Sequence, residues 1–166
     1  MPPFAAGRQL QTFNLATKQK LSAYVTNEDV TFWKWINDTE IGLVMERSVA
    51  HWNAMGGTEA PTKVFDRHQN LEGAQIINYR TSEDGGWCVL VGILPNNAPG
   101  AFRVKGAMQL YSTMRKVSQP IEGHAAAFST LRLDGAPADS KLFAFAVRTA
   151  QGAKVCRYLT NAVFCF

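Results

Sequence analysis

Short runs of hydrophobic residues, many alternating with polar ones, recur along the chain and are bounded by Gly, Asn, Asp and Pro. A period of two residues predicts strands, because successive side chains of a strand point to opposite faces. The runs fall into three successive sets. They are residues 30–35, 41–46, 49–52 and 62–65; then 75–80, 87–93, 107–111 and 116–120; then 127–133, 142–148 and 154–159.

Corresponding runs of the three sets are separated by about 45 to 55 residues, which is the repeat length of four-stranded propeller blades. Such sheets stack on one another, because a single sheet cannot bury both of its faces. Continuously apolar runs at 42–45 and 88–91 predict central strands that are buried on both sides. The large side chains predicted to face a stacked neighbour are Phe32, Trp33, Trp35, Trp52, Ile76, Tyr79, Trp87 and Phe128.

The sequence thus predicts an all-β fold, a partial β-propeller of about three WD40-like blades that is incomplete at both ends. Two strands within 9–25 are expected to end a preceding blade, whose inner strands are missing. Residues 29–68 and 74–124 predict two blades, 126–159 an incomplete blade without a fourth strand, and 155–166 a divergent tail. Unpaired sheet edges at both ends predict aggregation of the chain on its own.

The composition narrows the class of function. The 166 residues are 46% hydrophobic with a formal net charge of +4, and mixed signs without a basic run argue against nucleic-acid binding. Three cysteines without a CxxC pair predict neither a disulfide framework nor a zinc site, and favour a reducing compartment. No apolar stretch is long enough to insert in a bilayer. We therefore expect a cytoplasmic protein without a metal or cofactor.

Catalytic interpretations of the histidines find little support. His51, His68 and His124 are not spaced like metal ligands. Asp66 and His68 flank Arg67, and adjacent residues of a strand point to opposite faces. We expect no enzyme activity. The rival class is a hydrolase that uses a histidine, which would require a histidine in a pocket beside a carboxylate or a nucleophile.

Residues 9–20 form the best candidate site. Strand alternation places Gln9, Gln11, Phe13 and Leu15 on one face, and the returning strand is expected to place Lys18 and Lys20 on one face. Apolar area beside two ammonium groups suits a peptide with leucines and acidic residues. The residues alone favour an ordinary edge hairpin with a solvated basic rim.

Five blocks of sequence resemble the amino-terminal domain of clathrin heavy chain: 29–36 (DVTFWKWI), 63–68 (KVFDRH), 75–81 (QIINYRT), 106–112 (GAMQLYS) and 115–126 (RKVSQPIEGHAA). The resemblance covers about residues 6–153. The first few residues and 155–166 do not share it, and the family's first blade is absent. These differences at the two termini lead us to expect a truncated or mispredicted gene product.

The resemblance implies about three of seven propeller blades and a non-catalytic coat protein. Its expected partners are adaptor peptides with leucine-rich acidic motifs and, for the full-length protein, trimer subunits and light chains. Its expected location is the cytoplasmic face of coated pits and vesicles. A generic propeller interaction module outside vesicle coats is the alternative.

The resemblance also implies three peptide sites. A groove for the clathrin-box motif uses Gln11, Phe13, Lys18 and Lys20, although the family has threonine at position 9. A second pocket near the propeller axis uses Gln75 and Ile77, which strand packing explains equally well. Missing blades would complete both. A third pocket between two blades uses Trp87, Leu110, Arg115, Val117, Gln119 and Ile121, with Arg115 as the anion-seeking member; core packing also explains Trp87 and Leu110.

Overall fold

The computed structural model describes residues 7–56, 58–99, 103–132, 140–149, 151–159 and 162–165. Within these ranges the chain forms fourteen strands, all paired antiparallel in four sheets, and one three-residue 3-10 helix. It divides into two compact units, Met1–Arg67 and His68–Phe166. None of the described segments is a helix long and apolar enough to cross a membrane.

The first unit contains a two-stranded hairpin and a four-stranded sheet. The hairpin is β1 (Gln9–Asn14) and β2 (Gln19–Val25); the sheet, in spatial order, is β3 (Val30–Trp35), β4 (Glu40–Met45), β5 (Ser48–Asn53) and β6 (Thr62–Asp66). The core of this unit is formed by Val30, Ile41, Leu43, Trp52 and Ala54, against which Leu10 and Tyr24 of the hairpin pack. One face of the hairpin therefore helps to bury the sheet.

The second unit contains two four-stranded sheets that stack on each other. The first is β7 (Gln75–Thr81), β8 (Trp87–Pro95), β9 (Val104–Ser112) and β10 (Val117–Ile121), preceded by the 3-10 helix Gln69–Leu71; the second is β11 (Ala125–Leu131), β12 (Ser140–Thr149), β13 (Gly152–Leu159) and β14 (Ala162–Cys165). Val89, Met108 and Ile121 of the first sheet share one core cluster with Phe143 and Phe145 of the second. The rings of Phe143 and Phe145 are stacked with their centroids 5.8 Å apart.

The predicted all-β partial propeller is confirmed in class. Each four-stranded sheet follows the chain order as an antiparallel meander, which is the form of a propeller blade. The apolar runs lie on β4 and β8, which are central strands, and residues 88–92 are buried without interruption. The backbone N–H and C=O groups of these strands pair with a neighbouring strand on each side. Both faces can therefore be buried without leaving a backbone polar group unpaired.

Two expectations about the first and third sets of strands are wrong. The third set does have a fourth strand, β14, which pairs with β13 from Cys156↔Cys165 to Leu159↔Ala162. Four residues give too few alternations for the pattern to be recognised, and backbone pairing defines the strand instead. Trp33 and Trp35 were expected to face a stacked neighbour, yet they are 51% and 45% exposed on an edge strand. The two-stranded hairpin is too narrow to cover the whole face of the sheet.

The turn between β3 and β4 contains Asn37 and Asp38, residue types that tolerate positive φ, but neither adopts it. Instead the Oδ1 atom of Asn37 accepts hydrogen bonds from the backbone N of Thr39 and Glu40, at 2.9 and 2.8 Å. Side-chain capping of the turn replaces left-handed backbone. Gly85, by contrast, has φ of 67° as its position between β7 and β8 predicts.

Candidate functional site

The outer face of the hairpin carries the first group of candidate residues. Gln9, Gln11 and Phe13 are exposed, whereas Leu10 and Thr12 between them are half-buried, so the expected alternation along β1 is present. The register of the hairpin shifts after Thr12, which places Phe13 directly opposite Lys20. Directly opposed residues of an antiparallel pair share a face, so an aromatic ring and an ammonium group are neighbours there.

One hydrogen bond and apolar packing attach the other face of the hairpin to its sheet. The hydroxyl of Thr12 donates to the carbonyl of Ala54 at 2.6 Å, and Leu10 and Tyr24 pack on the core. The backbone N and the hydroxyl of Thr26 both donate to the carbonyl of Arg8, at 2.8 and 3.0 Å, and close the open end of the hairpin itself. The face with Gln11 and Phe13 is left to solvent.

Leu15 and Lys18 do not follow the alternation that was expected of them. Both lie in the turn between β1 and β2, and Lys18 has a left-handed backbone with φ of 57°. The turn is held by Asn14, whose Oδ1 accepts from the backbone N of Ala16 and Thr17 at 2.9 and 3.1 Å. Strand alternation requires extended backbone, so the shared face predicted for Lys18 and Lys20 is not a strand face.

Gln75 and Ile77 lie together at the start of β7, the edge strand of its sheet. Both are exposed, and Ile77 is 39% exposed. The register shifts between Ile76 and Asn78, so Ile77 is the extra residue of a bulge and has no partner in the ladder. A bulge re-aims the side chain it carries, and here it presents an apolar residue on a sheet edge.

The third group of candidates meets in a cleft between the two sheets of the second unit. The cleft has a volume of about 910 Å³, within the range of small-ligand pockets. Its apolar lining comprises Trp87, Leu110, Ile121, Phe128, Leu142 and Phe143. Arg115 and Gln119 line it as well, but Val117 does not and is 59% exposed. The structure thus brings together all of the predicted third group except Val117.

Charged groups lie along the same cleft. The turn between β7 and β8 supplies Glu83 and Asp84, the turn between β9 and β10 supplies Arg115, and β12 supplies Lys141. The ammonium group of Lys141 forms a salt bridge with Oδ2 of Asp84. Arg115 has no ion-pair partner among the described residues. Arg115 is therefore the cation that is left available to an anionic ligand.

Sequence reasoning missed the wall that the last sheet contributes. Phe128 was expected to face a stacked sheet, but it was not assigned to this site, and neither were Leu142, Phe143 or Lys141. Lys141, Leu142 and Phe143 lie on β12, about 55 positions beyond Trp87 on β8, which is the distance between equivalent strands of adjacent blades. Adding one repeat length to Trp87 is the signal that could have found these three residues.

The histidines occupy structural positions. Nδ1 of His124 accepts from the backbone N of Arg148 at 3.1 Å, so Nε2 carries the proton and donates to the carbonyl of Val104 at 2.9 Å. Nδ1 of His68 accepts from the backbone N of Asn70 at 3.2 Å. Burial lowers the pKa of His51, and nearby Glu40 partly opposes that effect. None of the three lines the cleft.

The cysteines likewise show structural environments. Cys88 is fully buried, as its apolar run predicted, and burial raises the pKa of its thiol. A hydrogen bond with Tyr79 partly opposes this effect. The described ranges contain no group of three His, Cys, Asp or Glu side chains placed to hold a metal ion.

Comparisons with known proteins give consistent matches. No protein-family model matches the chain. It is 53% identical over 152 residues to clathrin heavy chain of Drosophila melanogaster, 50% identical over 150 residues to probable clathrin heavy chain 1 of Caenorhabditis elegans, and 49% identical over 150 residues to human clathrin heavy chain 2. Each alignment covers 90% of this chain and 9% of the relative. The chain therefore spans about a tenth of their length.

A solved structure, the N-terminal domain of Nup159, is also similar. Its TM-score is 0.47 at 12% sequence identity, and the match covers 94% of this chain and 46% of that one.

Proposed function

Because this chain belongs to the clathrin heavy chain family along the 90% of its length that aligns, we propose that it is a peptide-capturing segment of a vesicle-coat protein. It binds short linear motifs of adaptor proteins by non-covalent contacts and performs no chemistry on them. The motifs combine large aliphatic side chains with acidic ones. The binding element is the cleft between the two stacked sheets of the second unit.

The composition of that cleft is the observation that supports the proposal. Trp87, Leu110 and Ile121 offer apolar area from one sheet, and Phe128 and Phe143 offer it from the other. Arg115 stands at the β9–β10 turn as a cation that has no ion-pair partner among the residues the structure describes. Aliphatic anchors in such a cleft supply contact area, while the guanidinium group attracts a carboxylate.

The hairpin and the β7 edge are proposed as further contact surfaces. Gln11, Phe13 and Lys20 form one exposed wall, to which Lys18 adds a charge from the turn. Gln75 and Ile77 present a second, smaller surface. A single wall buries little of a bound peptide, so we expect these surfaces to bind weakly in this chain. Several weak sites gain strength when many copies are linked in a coat.

The proposal also covers the role of the full-length protein. We propose that the full-length protein works in clathrin-mediated vesicle transport, forms trimers and carries light chains. Its location is then the cytoplasmic face of coated pits and vesicles. The segment's part in that assembly is recognition of leucine-rich acidic motifs, without binding nucleic acid or inserting into the bilayer.

A charge-reversal experiment in the cleft tests the proposal. A fluorescent peptide with two leucines and one aspartate is titrated into the chain, and its anisotropy is followed. Arg115→Glu is expected to weaken binding at least about tenfold, because a carboxylate then meets a like charge. Lys116→Glu is the matched control, since Lys116 lies in the same turn but does not line the cleft. Equal losses in the two variants would contradict a specific site.

The alternative is a propeller interaction module outside vesicle coats. A peptide array separates the two functions, because the alternative predicts no preference for leucine-rich acidic motifs. The discriminating variant reverses the charges of Lys18 and Lys20 together in a completed propeller. Retention of motif binding by that double variant would count against the hairpin as a contact surface.

A further inference from the structure

The Asp84–Lys141 salt bridge crosses the cleft from one sheet to the other. Asp84 lies in the turn between β7 and β8, and Lys141 lies at the start of β12. Their side chains are about half exposed, at 47% and 45%, and both residues line the cleft. The carboxylate of Asp84 therefore pairs with Lys141, which is one of the two described cations, with Arg115, that line this cleft.

Asp84 is held in position independently of Lys141. Its Oδ1 atom accepts from the hydroxyl of Ser82 at 2.7 Å and from the backbone N of Gly86 at 3.3 Å. The hydroxyl of Ser82 in turn accepts from the backbone N of Trp87 at 2.9 Å. Oδ2, the atom that faces Lys141, takes no part in these bonds. The carboxylate is thus pre-organised by its own turn.

Pre-organisation decides the competition for Lys141. A ligand carboxylate that approaches Lys141 has to displace the carboxylate of Asp84. Asp84 is already held by its turn, so it loses less conformational entropy on pairing than a flexible ligand does. Arg115 presents no such obstacle, because it has no ion-pair partner in the described part of the chain. The two cations of the cleft are therefore unequal, although both line it.

We infer that Asp84 is an internal competitor that masks Lys141, so that the cleft gains affinity from one acidic residue of a peptide, opposite Arg115, and none from a second. The inference rests on the proposed peptide-binding function and names the charge specificity of that site. Glu83, in the same turn, carries an equal charge but does not pair with Lys141. Glu83 therefore provides a matched control for the loss of one negative charge.

The test compares two synthetic peptides that share two leucine anchors and carry one or two aspartates. The wild-type chain is expected to bind both with dissociation constants within about twofold. Asp84→Asn is expected to tighten binding of the two-aspartate peptide about three- to fivefold, the size of an exposed ion pair, and to leave the other peptide within twofold. The asparagine retains the Oδ1 acceptor for Ser82 and Gly86, so the turn keeps its structure.

Two controls make the result specific to Lys141. Glu83→Gln removes the same charge without releasing Lys141, and is expected to change the affinity of either peptide by less than twofold. Adding Lys141→Met to Asp84→Asn is expected to abolish the gain. A gain that survives in the double variant, or an equal gain in Glu83→Gln, overturns the inference.

A measurement without peptide separates this inference from the proposed function. Acylation of Lys141 by an amine-reactive ester is followed by mass spectrometry, with Lys116 as the internal reference. Asp84→Asn is expected to accelerate the reaction of Lys141 relative to Lys116, because the ion pair shields its amine. Unchanged reactivity would overturn the masking. Faster reactivity together with failure of both peptides to bind would overturn the proposed function and leave the masking in place.

Discussion

The outer face of the hairpin and the cleft of the second unit use similar side chains in different surroundings. On the hairpin, Phe13 is 53% exposed beside Lys20 on one uncovered face. In the cleft, Trp87 and Arg115 line a space enclosed by two stacked sheets. An aromatic ring next to a cation is thus not yet a pocket. A second sheet supplies apolar contacts to a ligand from the other side.

The two regions also differ in how they are held. The hairpin contacts its sheet through Leu10, Tyr24 and the Thr12 hydrogen bond. The cleft lies above a shared core of nine buried residues drawn from both sheets. Local stability follows the buried apolar area, so we expect the hairpin to open before the cleft does. Four experiments test this contrast.

The largest effect is expected from Gly106→Ala, which should disrupt the stacking that forms the cleft. A Cβ at Gly106 would overlap the carbonyl of Gly123 and lie 2.8 Å from Cγ of His124. Backbone atoms cannot move aside, so we expect a loss of about 3 kcal/mol or more in the free energy of unfolding. Urea denaturation measures it. Gly7→Ala meets nothing within 4 Å and should be neutral; similar stability of both variants would contradict the packing.

Removal of the two aromatic anchors compares the regions directly. Trp87→Ala should weaken binding of a leucine-rich acidic peptide at least about tenfold, because enclosed aromatic residues dominate binding energy. Phe13→Ala should change it less than about twofold in this chain, because one uncovered wall excludes little water. Anisotropy titration measures both, with unfolding checked in parallel since Trp87 also packs on the core. Equal losses of peptide affinity in the two variants would contradict the view that the cleft binds because two sheets surround the ligand.

Thr12→Val tests the attachment of the hairpin. The valine has the shape of threonine but cannot donate to the carbonyl of Ala54, so we expect a cost of about 1 kcal/mol. Hydrogen exchange should accelerate in β1 and β2 and stay unchanged in β7–β10. Thr17→Val, in the exposed turn, serves as the control. Uniform acceleration across the chain would mean that the hairpin does not open separately.

The smallest effect concerns pH and the first unit. Burial lowers the pKa of His51 below its ordinary value of 6.5, so the unfolded state binds more protons than the folded state as the pH falls through that region. The stability contributed by neutral His51 is complete above pH 6.5 and declines below it. His51→Gln should flatten this decline between about pH 5 and pH 7 in urea titrations. An unchanged slope would assign the decline to other groups.

Local sequence signals were enough to predict the class of the fold and most of its strands. Alternation, apolar runs at 42–45 and 88–91 and a recurring repeat length are local properties, and β3 to β13 lie where these signals predict strands. The repeat also implied stacked sheets, and the second unit has them. Strand β14 escaped prediction because its four residues carry too little pattern, and its identity comes from pairing with β13.

Which of the predicted residues form a site depends on contacts between strands and between sheets. Alternation could place Gln11 and Phe13 on one face, but the register shift after Thr12 decided that Lys20 is the neighbour of Phe13. The left-handed backbone of Lys18 and the pairing of Asp84 with Lys141 depend on turn geometry and on the distance between two sheets. The repeat predicts that sheets stack, but it does not specify which turn residues meet across them, because that depends on the register and the distance between the sheets.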